Sequence, residues 1–429
     1  APIVSGNDSA AGVANNIYLA NGRVINVTGD MTGANVGVYT QSLPVGDNAI
    51  TIAKGVKSYT ANATDAAAFH SDNAGEASVQ LLGERIVLVE AVNEVYVAAS
   101  GDDATGTGTM YRPYKTLAKA YAQVSNDGEI RVLSDLDELT ANTNFNSNKT
   151  VTIASYTKTD DTAAPAASAH TVKRATAWTG GSTFIISAGK VILNNITLDG
   201  GATWTTPENL QSRTVTNTTP HQLIQVIGGE LVLDNKATLQ NHARAGGSVD
   251  TATYDTSGDR GSAVYVKNAG KLTMNTGATI QNCDVTSTIG DGAAVSIWGN
   301  GAFYMNGGSI TGNTSSRMGG AIRVAESGSH MYLYGGTISG NATKSVDNCG
   351  GISVNAGTLH LKGAPVVKDN LQNTTECNIL YNAKIVMDGR LTGGSIGVTG
   401  VAGDVTTATA TYNDLQYFHS DNIALAAQF

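Results

Sequence analysis

Charged residues and cysteines are scarce in this sequence. Asp, Glu, Lys and Arg make up 14% of the 429 residues, against about 25% in an ordinary globular protein. The net charge of −9 argues against nucleic-acid binding, since no basic stripe follows a phosphate backbone. Three cysteines are too few for a disulfide-dense scaffold. No apolar run approaches the length of about 20 residues that a helix needs to cross a bilayer. No signal peptide is visible.

Glycine and aliphatic residues are abundant instead. Gly accounts for 50 residues, and 41% of the chain is hydrophobic. A chain with this much aliphatic surface and so little charge can bury a core, which excludes a disordered protein. Frequent Val, Ile and Thr interrupted by Gly favour many short strands joined by turns.

A repeat is clearest in the second half of the chain. The stretches "GATIQNC" (277–283), "GGSITGN" (307–313), "GGTISGN" (335–341) and "GAPVVKDN" (363–370) share Gly, a small residue, an aliphatic residue and then Asn. The Asn residues are 31, 28 and 29 positions apart, and two predicted strands precede each of them. The aliphatic residues alternate with a period of two, which disfavours a helical repeat. A fixed period of this length indicates a solenoid.

Three strands in each repeat of 28–31 residues predict one rung of a parallel β-helix. The predicted fold class is therefore all-β, a parallel β-helix over residues 96–375, and the family resemblance described below implies that it is right-handed. A short amphipathic helix near 115–125 is predicted to cap it, because four apolar residues lie there at helical spacing, namely Leu117, Ala120, Tyr121 and Val124.

The recurring Asn has two interpretations. An Asn at the bend after the third strand suits a left-handed backbone or a bond to a neighbouring turn. Stacked on successive rungs, such residues form a hydrogen-bonded ladder, and this structural interpretation is preferred to a row of ligand-binding residues. The predicted ladder consists of Asn282, Asn313, Asn341 and Asn370.

Two stretches resemble known families. "GDDATGTGTMYRPYKTLAKA" (101–120) resembles the opening of secreted right-handed parallel β-helix proteins. "GGAI" (319–322), "ITGN" (310–313) and "ISGN" (338–341) are similar to the repeats of adhesin-like bacterial cell-surface proteins. The resemblance implies a secreted protein at the cell surface with an adhesive or structural function.

The two ends of the chain resemble each other. "FHSDN" occurs at 69–73 and again at 418–422. Matching segments precede both copies in the same order, namely "APIV" (1–4) with "APVV" (364–367) and "GDMTGANVGV" (29–38) with "GRLTGGSIGV" (389–398). Residues 1–95 are therefore predicted to form a β module like residues 364–429, ending in a hairpin over 79–91. Residues 376–429 are predicted to be an incomplete C-terminal end module.

Two explanations of the duplication compete with a third in which the modules are independent. The chain is one period of a giant tandem-repeat surface protein, or it is a fibre subunit that docks head to tail on a second copy. Both imply an extracellular assembly whose partner is the protein itself, with host or cell-surface glycans as further partners. The residues predicted at a subunit junction are Pro2, Ile3, Val4, Ile17, Leu19, Phe69, Phe418, Leu425 and Phe429.

Catalytic motifs are not evident in the sequence. The carboxylate pairs of polysaccharide hydrolases and the calcium ligands of lyases do not recur on successive rungs. Asp199, Asp255 and Asp259, with Arg260, are the best candidates for a calcium or sugar site, although a solvated loop explains them more simply. Trp178, Trp204 and Trp298 are weaker candidates for stacking on sugars. The sequence predicts no enzyme and no cofactor, and leaves a polysaccharide-binding or polysaccharide-degrading β-helix as the alternative.

The cysteines allow two arrangements. Cys349 and Cys377 are almost one rung apart, so they are either small core residues, which is slightly favoured, or a disulfide between rungs. Cys283 is then a free buried thiol.

Overall fold

The structure is a computed structural model. It describes residues 3–4, 16–44, 48–72, 77–90, 92–139, 141–156, 169–175, 178, 181–206, 209–219, 221–245, 263–286, 290–381, 385–399, 405–406 and 412–421. The chain divides into two compact units. Unit 1 comprises Ala1–Tyr96 with Asp102–Ile130, and unit 2 comprises Val97–Gly101 with Arg131–Phe429. Two of the boundaries between the units fall inside strands, namely Val92–Val97 and Val124–Val132.

Unit 2 contains three long parallel sheets. Sheet 1 contains Thr150–Ser155, Lys190–Asn194, Glu230–Asp234, Lys271–Met274, Ala302–Met305, His330–Leu333, Thr358–Gly363 and Val386–Leu391. Sheet 2 contains Leu136–Leu139, His170–Arg174, Ile196–Asp199, Thr238–Gln240, Thr279–Gln281, Ser309–Thr311, Thr337–Ser339, Val366–Lys368, Ser395–Val398 and Phe418–Ser420. Sheet 3 contains Thr143–Phe145, Phe184–Ile186, Ile224–Ile227, Val264–Lys267, Val295–Ile297, Ile322–Val324, Ile352–Val354 and Ile379–Tyr381. This confirms the predicted parallel β-helix.

Each sheet stacks aliphatic residues on aliphatic residues from rung to rung. In sheet 2 the buried column is Val172, Leu198, Leu239, Ile280, Ile310, Ile338, Val367 and Ile396. Each fully buried aliphatic side chain of this kind stabilises the fold by about 1.5–3 kcal/mol. Because successive side chains point to opposite faces, the intervening residues lie on the outer surface, and this explains the period of two in the sequence.

Shorter strands form the corners and loops of unit 2. A fourth ladder follows sheet 2 in the rungs from Thr238–Gln240 to Val366–Lys368. It contains Ala243–Arg244, Asp284–Val285, Thr314–Ser315, Ala342–Thr343 and Leu371–Gln372, and the last of these pairs antiparallel with Thr375–Glu376. The insertion after Asp199 forms an antiparallel hairpin of Thr203–Thr205 and Thr214–Thr216. A short helix spans Tyr412–Leu415.

Unit 1 contains the N-terminal module. One of its sheets contains Ile3–Val4, Ile17–Leu19, Asn35–Thr40 and Phe69–Ser71, and the other contains Ile25–Val27, Ile50–Gly55, Ala77–Leu82 and Arg85–Glu90. Ala77–Leu82 and Arg85–Glu90 form the predicted hairpin around Gly83. The helices are Ala63–Ala67 and Leu117–Gln123. The second confirms the predicted helix, and its Leu117, Ala120 and Tyr121 are buried.

Candidate functional site

The two similar ends of the sequence have the same strand pairing. In the N-terminal module, Val36 pairs with Phe69 and Val38 with Ser71. In the C-terminal end layer, defined here as the described part of residues 364–421, Ile396 pairs with Phe418 and Val398 with Ser420. The strand Ile3–Val4 pairs with Asn35 and Val36, as Val366 and Val367 pair with Ser395 and Ile396. The repeat in the sequence is thus a repeat in structure.

The same polar contact holds each copy together. Asn16 donates its backbone N–H and its side-chain amide to Asp72, both at 3.0 Å. Asn378 donates the corresponding groups to Asp421 at 2.8 and 2.7 Å. A glycine lies beside each pair. A side chain would not fit there, because a Cβ added at Gly397 would lie only 2.3 Å from the Asn378 amide nitrogen. The contact therefore explains why both copies contain a glycine in this strand.

A second buried carboxylate also recurs. Asp65 accepts the backbone N–H of Met31 at 3.0 Å, and Asp414 accepts that of Leu391 at 2.9 Å. Both carboxylates lie in short helices and are buried. Asp65 also completes a capping box with Asn62, which fixes the start of its helix.

The copies differ in what their strands stack upon. In the C-terminal end layer, Val366–Lys368 pairs with the preceding rung at Thr337–Ser339, and Ile379–Tyr381 pairs with Ile352–Val354. In the part of the N-terminal module that the structure describes, Ile3–Val4 and Ile17–Leu19 pair only with Asn35–Thr40. Likewise, Ile25–Val27 pairs only with Ile50–Gly55 among the described strands. These three strands, named here the tail edge, each have one side that pairs with no other strand of the described residues.

The structure places the predicted junction residues in two groups. Ile3, Val4, Ile17 and Leu19 lie in the tail edge. Phe69 and Phe418 differ from the prediction, since they are 5% and 9% exposed and pack inside their own modules. Alternation explains this, because an inward position in the last strand contributes to the local core. Pro2, Leu425 and Phe429 lie outside the described residues.

A ladder of asparagines runs into the C-terminal end layer. Side-chain amides donate from Asn313 to Asn341 at 2.9 Å, from Asn341 to Asn370 at 2.9 Å and from Asn370 to Asn378 at 2.8 Å. The next acceptor is Asp421. A carboxylate suits this final position because it accepts hydrogen bonds and has no proton to donate.

Asn282 is not in the ladder, which corrects the prediction. Cys283 occupies the ladder position, and its backbone N–H donates to Asn313 at 3.0 Å. Asn282 lies one residue earlier with φ at 51°, in register with Gly312 at φ 68° and Gly340 at φ 64°. Asn tolerates this left-handed conformation better than most residues do. Asn282 therefore forms the sharp bend of the backbone after the third strand of its rung.

Cys349 and Cys377 form a disulfide between adjacent rungs, with 4.8 Å between their Cα atoms. This is the less favoured of the two predicted arrangements. Both cysteines are buried, and Cys377 directly precedes Asn378 of the ladder. Cys283 is free and buried, and burial raises its thiol pKa to about 12. It is therefore an unreactive thiol near neutral pH.

Asp199 is a structural residue at a rung corner. Its carboxylate accepts the N–H of Gly201 at 2.7 Å and the amides of Gln240 and Asn241 at 2.9 and 2.7 Å. These three donors tie the carboxylate to its own rung and to the next, and the candidate calcium or sugar site at Asp199 stays a prediction. Asp255, Asp259 and Arg260 lie outside the described residues.

The tryptophans make internal contacts. Trp204 donates its indole N–H to the buried Asp284 at 2.7 Å, and Arg213 forms a buried salt bridge with the same carboxylate. Trp298 is buried, and Trp178 donates to the carbonyl oxygen of Gly181 at 2.8 Å. Arg174 lies 5.9 Å from the Trp178 ring centroid and Arg213 lies 5.1 Å from the Trp204 ring centroid, so stacking of these two rings on sugars stays a prediction.

A row of rings on the outer face of sheet 1 was not predicted. Tyr304 stacks on Tyr332 at 4.3 Å between ring centroids, and Tyr332 stacks on His360 at 4.4 Å. His360 Nε2 lies 3.1 Å from His330 Nδ1, and His360 Nδ1 lies 2.9 Å from Asp388. Each of the three stacked residues lies 28 positions after the one before it, so an alignment of the rungs in the sequence could have predicted the stack.

The surroundings shift the pKa values in this row. Burial and then the neighbouring His360 lower the pKa of His330. Burial and the hydrogen bond to Asp388 raise the pKa of Tyr334. For Asp388, burial acts upward, but the hydrogen bonds from His360 and Tyr334 leave its pKa lowered. At neutral pH the row therefore combines an ionised Asp388 with a neutral His330.

Comparisons with known proteins gave no relatives: no family model, no curated protein and no solved structure matches this chain. Among the described residues, no helix is both long and apolar enough to span a membrane. Within the same residues, Glu376, His419 and Asp421 are the group whose donor atoms lie close enough to hold one metal ion.

Proposed function

We propose that this protein is an extracellular structural protein that assembles head to tail with further copies of itself. In this proposal the tail edge of one copy, Ile3–Val4, Ile17–Leu19 and Ile25–Val27, stacks on the C-terminal end layer of another copy. The supporting observation is that two strands of the tail edge, Ile3–Val4 and Ile17–Leu19, have counterparts in the C-terminal end layer that rest on a preceding rung.

Edge strands present N–H and C=O groups that can pair with another chain. Stacking the parallel tail edge on the C-terminal end layer continues the pairing pattern already present between rungs. The two surfaces are different, so the contact is heterologous, and such a contact generates an open fibre when it does not close into a ring. The shared architecture of the two ends therefore supports an elongated assembly.

The disulfide supports an extracellular location, and the contacts between rungs agree with the low charge. The disulfide between Cys349 and Cys377 is typical of oxidising compartments. The hydrogen-bonded ladder and the aliphatic columns stabilise the rungs without a need for many ion pairs, in keeping with the low charge. The same contacts would also fit one period of a giant tandem-repeat protein, in which the next module belongs to the same polypeptide.

Electron microscopy of the purified chain tests the proposal, with solution mass measured in parallel. Tyr18, on the tail edge, is 52% exposed, so Tyr18→Lys should leave the monomer folded and introduce a charge into the contact. The matched control is Tyr111→Lys, because Tyr111 is 91% exposed and lies outside the tail edge. We expect fibres from the wild type and the control, and single monomers from Tyr18→Lys. Single monomers from the wild type would overturn self-assembly and favour the tandem-repeat alternative.

A second candidate function is glycan binding by the row of rings on sheet 1. Tyr304, Tyr332 and His330 present ring edges on the outer face, and Lys271 lies 5.1 Å from the centroid of Tyr304. Lys362 lies 3.8 Å from the centroid of Tyr334. Hydroxyl and ammonium groups of this kind suit an acidic polysaccharide. A glycan array with the monomeric Tyr18→Lys protein tests it, and binding that survives Tyr332→Ala would contradict this location.

A further inference from the structure

We propose that Glu376, His419 and Asp421 form a binding site for a divalent transition-metal ion such as Zn²⁺. One donor atom from each residue lies within 4.8 Å of the other two. His419 Nε2 is 3.7 Å from Asp421 Oδ1. Two ligands of tetrahedral zinc, each about 2.0–2.1 Å from the ion, are about 3.3–3.5 Å apart. A small movement of the Glu376 side chain would therefore complete a three-ligand site.

Neighbouring groups orient each of the three ligands. The Asp421 side chain is 0% exposed, and Asn378 and the Thr399 hydroxyl hold it, the latter at 2.8 Å. Glu376 accepts the N–H of Asp369 at 3.0 Å and the Asn378 amide at 2.8 Å. The nitrogen His419 Nδ1 lies 3.4 Å from the Ser395 hydroxyl. Outer hydrogen bonds of this kind fix the orientation of metal ligands in proteins.

The donor set indicates which metals fit. When His419 donates from Nδ1 to Ser395, the lone pair of Nε2 faces the carboxylate of Asp421. Two lone pairs that face each other are stabilised by a cation between them. One imidazole nitrogen with two carboxylates suits Zn²⁺, whereas Mg²⁺ and Ca²⁺ prefer oxygen ligands throughout.

The N-terminal module provides an internal comparison. His70 Nε2 lies 3.4 Å from Asp72 Oδ1, so the histidine and aspartate recur with nearly the same separation. The sequence position that corresponds to Glu376 is Ala14, which offers no ligand. Among the described residues, the C-terminal end layer combines all three donors, and the proposed site does not depend on head-to-tail assembly.

Isothermal titration of the metal-free full-length chain with Zn²⁺ tests the site, with Mg²⁺ and Ca²⁺ as comparison ions. The variants are His419→Ala and Glu376→Gln, and His70→Ala is the matched control from the other "FHSD" motif. Glu376→Gln keeps an oxygen acceptor for Asp369 and Asn378, so loss of the fold does not explain loss of binding. Asp421 is left unchanged because it also holds Asn378. Circular dichroism checks each variant.

We expect one equivalent of Zn²⁺ to be lost, or bound at least about tenfold more weakly, in His419→Ala and Glu376→Gln. His70→Ala should bind as the wild type does, and Mg²⁺ and Ca²⁺ should not compete. The proposal is overturned if His419→Ala retains the full stoichiometry and affinity, if His70→Ala loses as much binding as His419→Ala, or if Mg²⁺ displaces the zinc. Fibre formation is scored separately, so the two proposals fail independently.

Discussion

Asn378 donates both its backbone N–H and its side-chain amide to Asp421, 43 residues further along the chain. The contact joins the asparagine ladder to the last described strand, Phe418–Ser420. Without it, the end of the ladder and the final strand would each lose a buried polar partner. This pair is therefore expected to control the stability of the C-terminal end layer.

Replacing Asp421 tests this role. Asp421→Ala leaves the N–H and amide of Asn378 and the hydroxyl of Thr399 without their acceptor. Unsatisfied buried groups cost about 1–3 kcal/mol each, so we expect local destabilisation of roughly 2–5 kcal/mol. Hydrogen exchange of metal-free protein should accelerate over residues 378–399. Asp72→Ala should accelerate exchange near Asn16 instead, and unchanged exchange in Asp421→Ala would contradict the role.

A methyl group at Gly397 should have a similar local effect. The added Cβ would lie 2.3 Å from the Asn378 amide nitrogen and 2.4 Å from Asp421 Oδ1. Gly397→Ala must therefore separate the pair and lower the thermal stability of the C-terminal end layer. Gly389→Ala is the control, since its nearest neighbour would be a Lys362 side-chain atom at 3.5 Å. Equal melting temperatures for the two variants would contradict the prediction.

Neighbouring residues on one strand should differ sharply in their contribution to stability. Phe303 points into the core and is 0% exposed, so Phe303→Ala should cost about 3–5 kcal/mol. Tyr304 lies on the outer face, where Tyr304→Ala removes one stacked pair, worth about 0.5–1.5 kcal/mol beyond area burial. Chemical denaturation of both variants measures the difference, and a larger loss for Tyr304→Ala would show that the strand faces the other way.

The disulfide should stabilise the last rungs. Cys349 and Cys377 are 28 residues apart, and closing a loop of this length contributes about 3–4 kcal/mol in the chain-entropy description. The double variant Cys349→Ala/Cys377→Ala should therefore unfold at a lower urea concentration, with faster hydrogen exchange over residues 350–380. Cys283→Ala serves as the control, because Cys283 forms no disulfide. An unchanged midpoint in the double variant would be inconsistent with this contribution.

His330 should titrate below its ordinary range. Burial and His360 lower its pKa, while Asp388 acts in the opposite direction. The folded protein then binds this proton less readily than the unfolded chain does, so the stability contribution is present above about pH 6.5. It is lost as the pH falls from that value through the folded pKa. Imidazole NMR should give a His330 midpoint below 6.5, and a midpoint at or above that value contradicts the assignment.

The sequence contained most of the fold. Alternating inward residues such as Phe303 and Met331, with Gly or Asn at the bends, permit stacked strands and disfavour helices, and the 28–31-residue spacing sets the rung. The duplicated "FHSDN" segments predicted two similar end structures. These features are local or periodic, so they can be recognised in the sequence without knowledge of contacts between distant residues.

The site depended on register, which sequence spacing did not resolve. The spacing of the asparagines suggested that Asn282 and Asn313 are equivalent, yet the pairing of Gln281 with Thr311 places Cys283 opposite Asn313. The same uncertainty left the Cys349–Cys377 pair open between two arrangements, placed Phe69 at a surface although it is buried, and hid the stack of Tyr304, Tyr332 and His360.

The sequence by itself determined that this chain forms a repeating parallel β-helix with two related ends, because side-chain alternation and turn residues act within each rung. Tertiary structure alone decided which side chains meet between rungs, because loops of different length separate the strands and the pairing of the strands, not their spacing in sequence, sets the columns. That choice set the ladder that ends at Asp421, the open edge of the N-terminal module, and the convergence of Glu376 with His419.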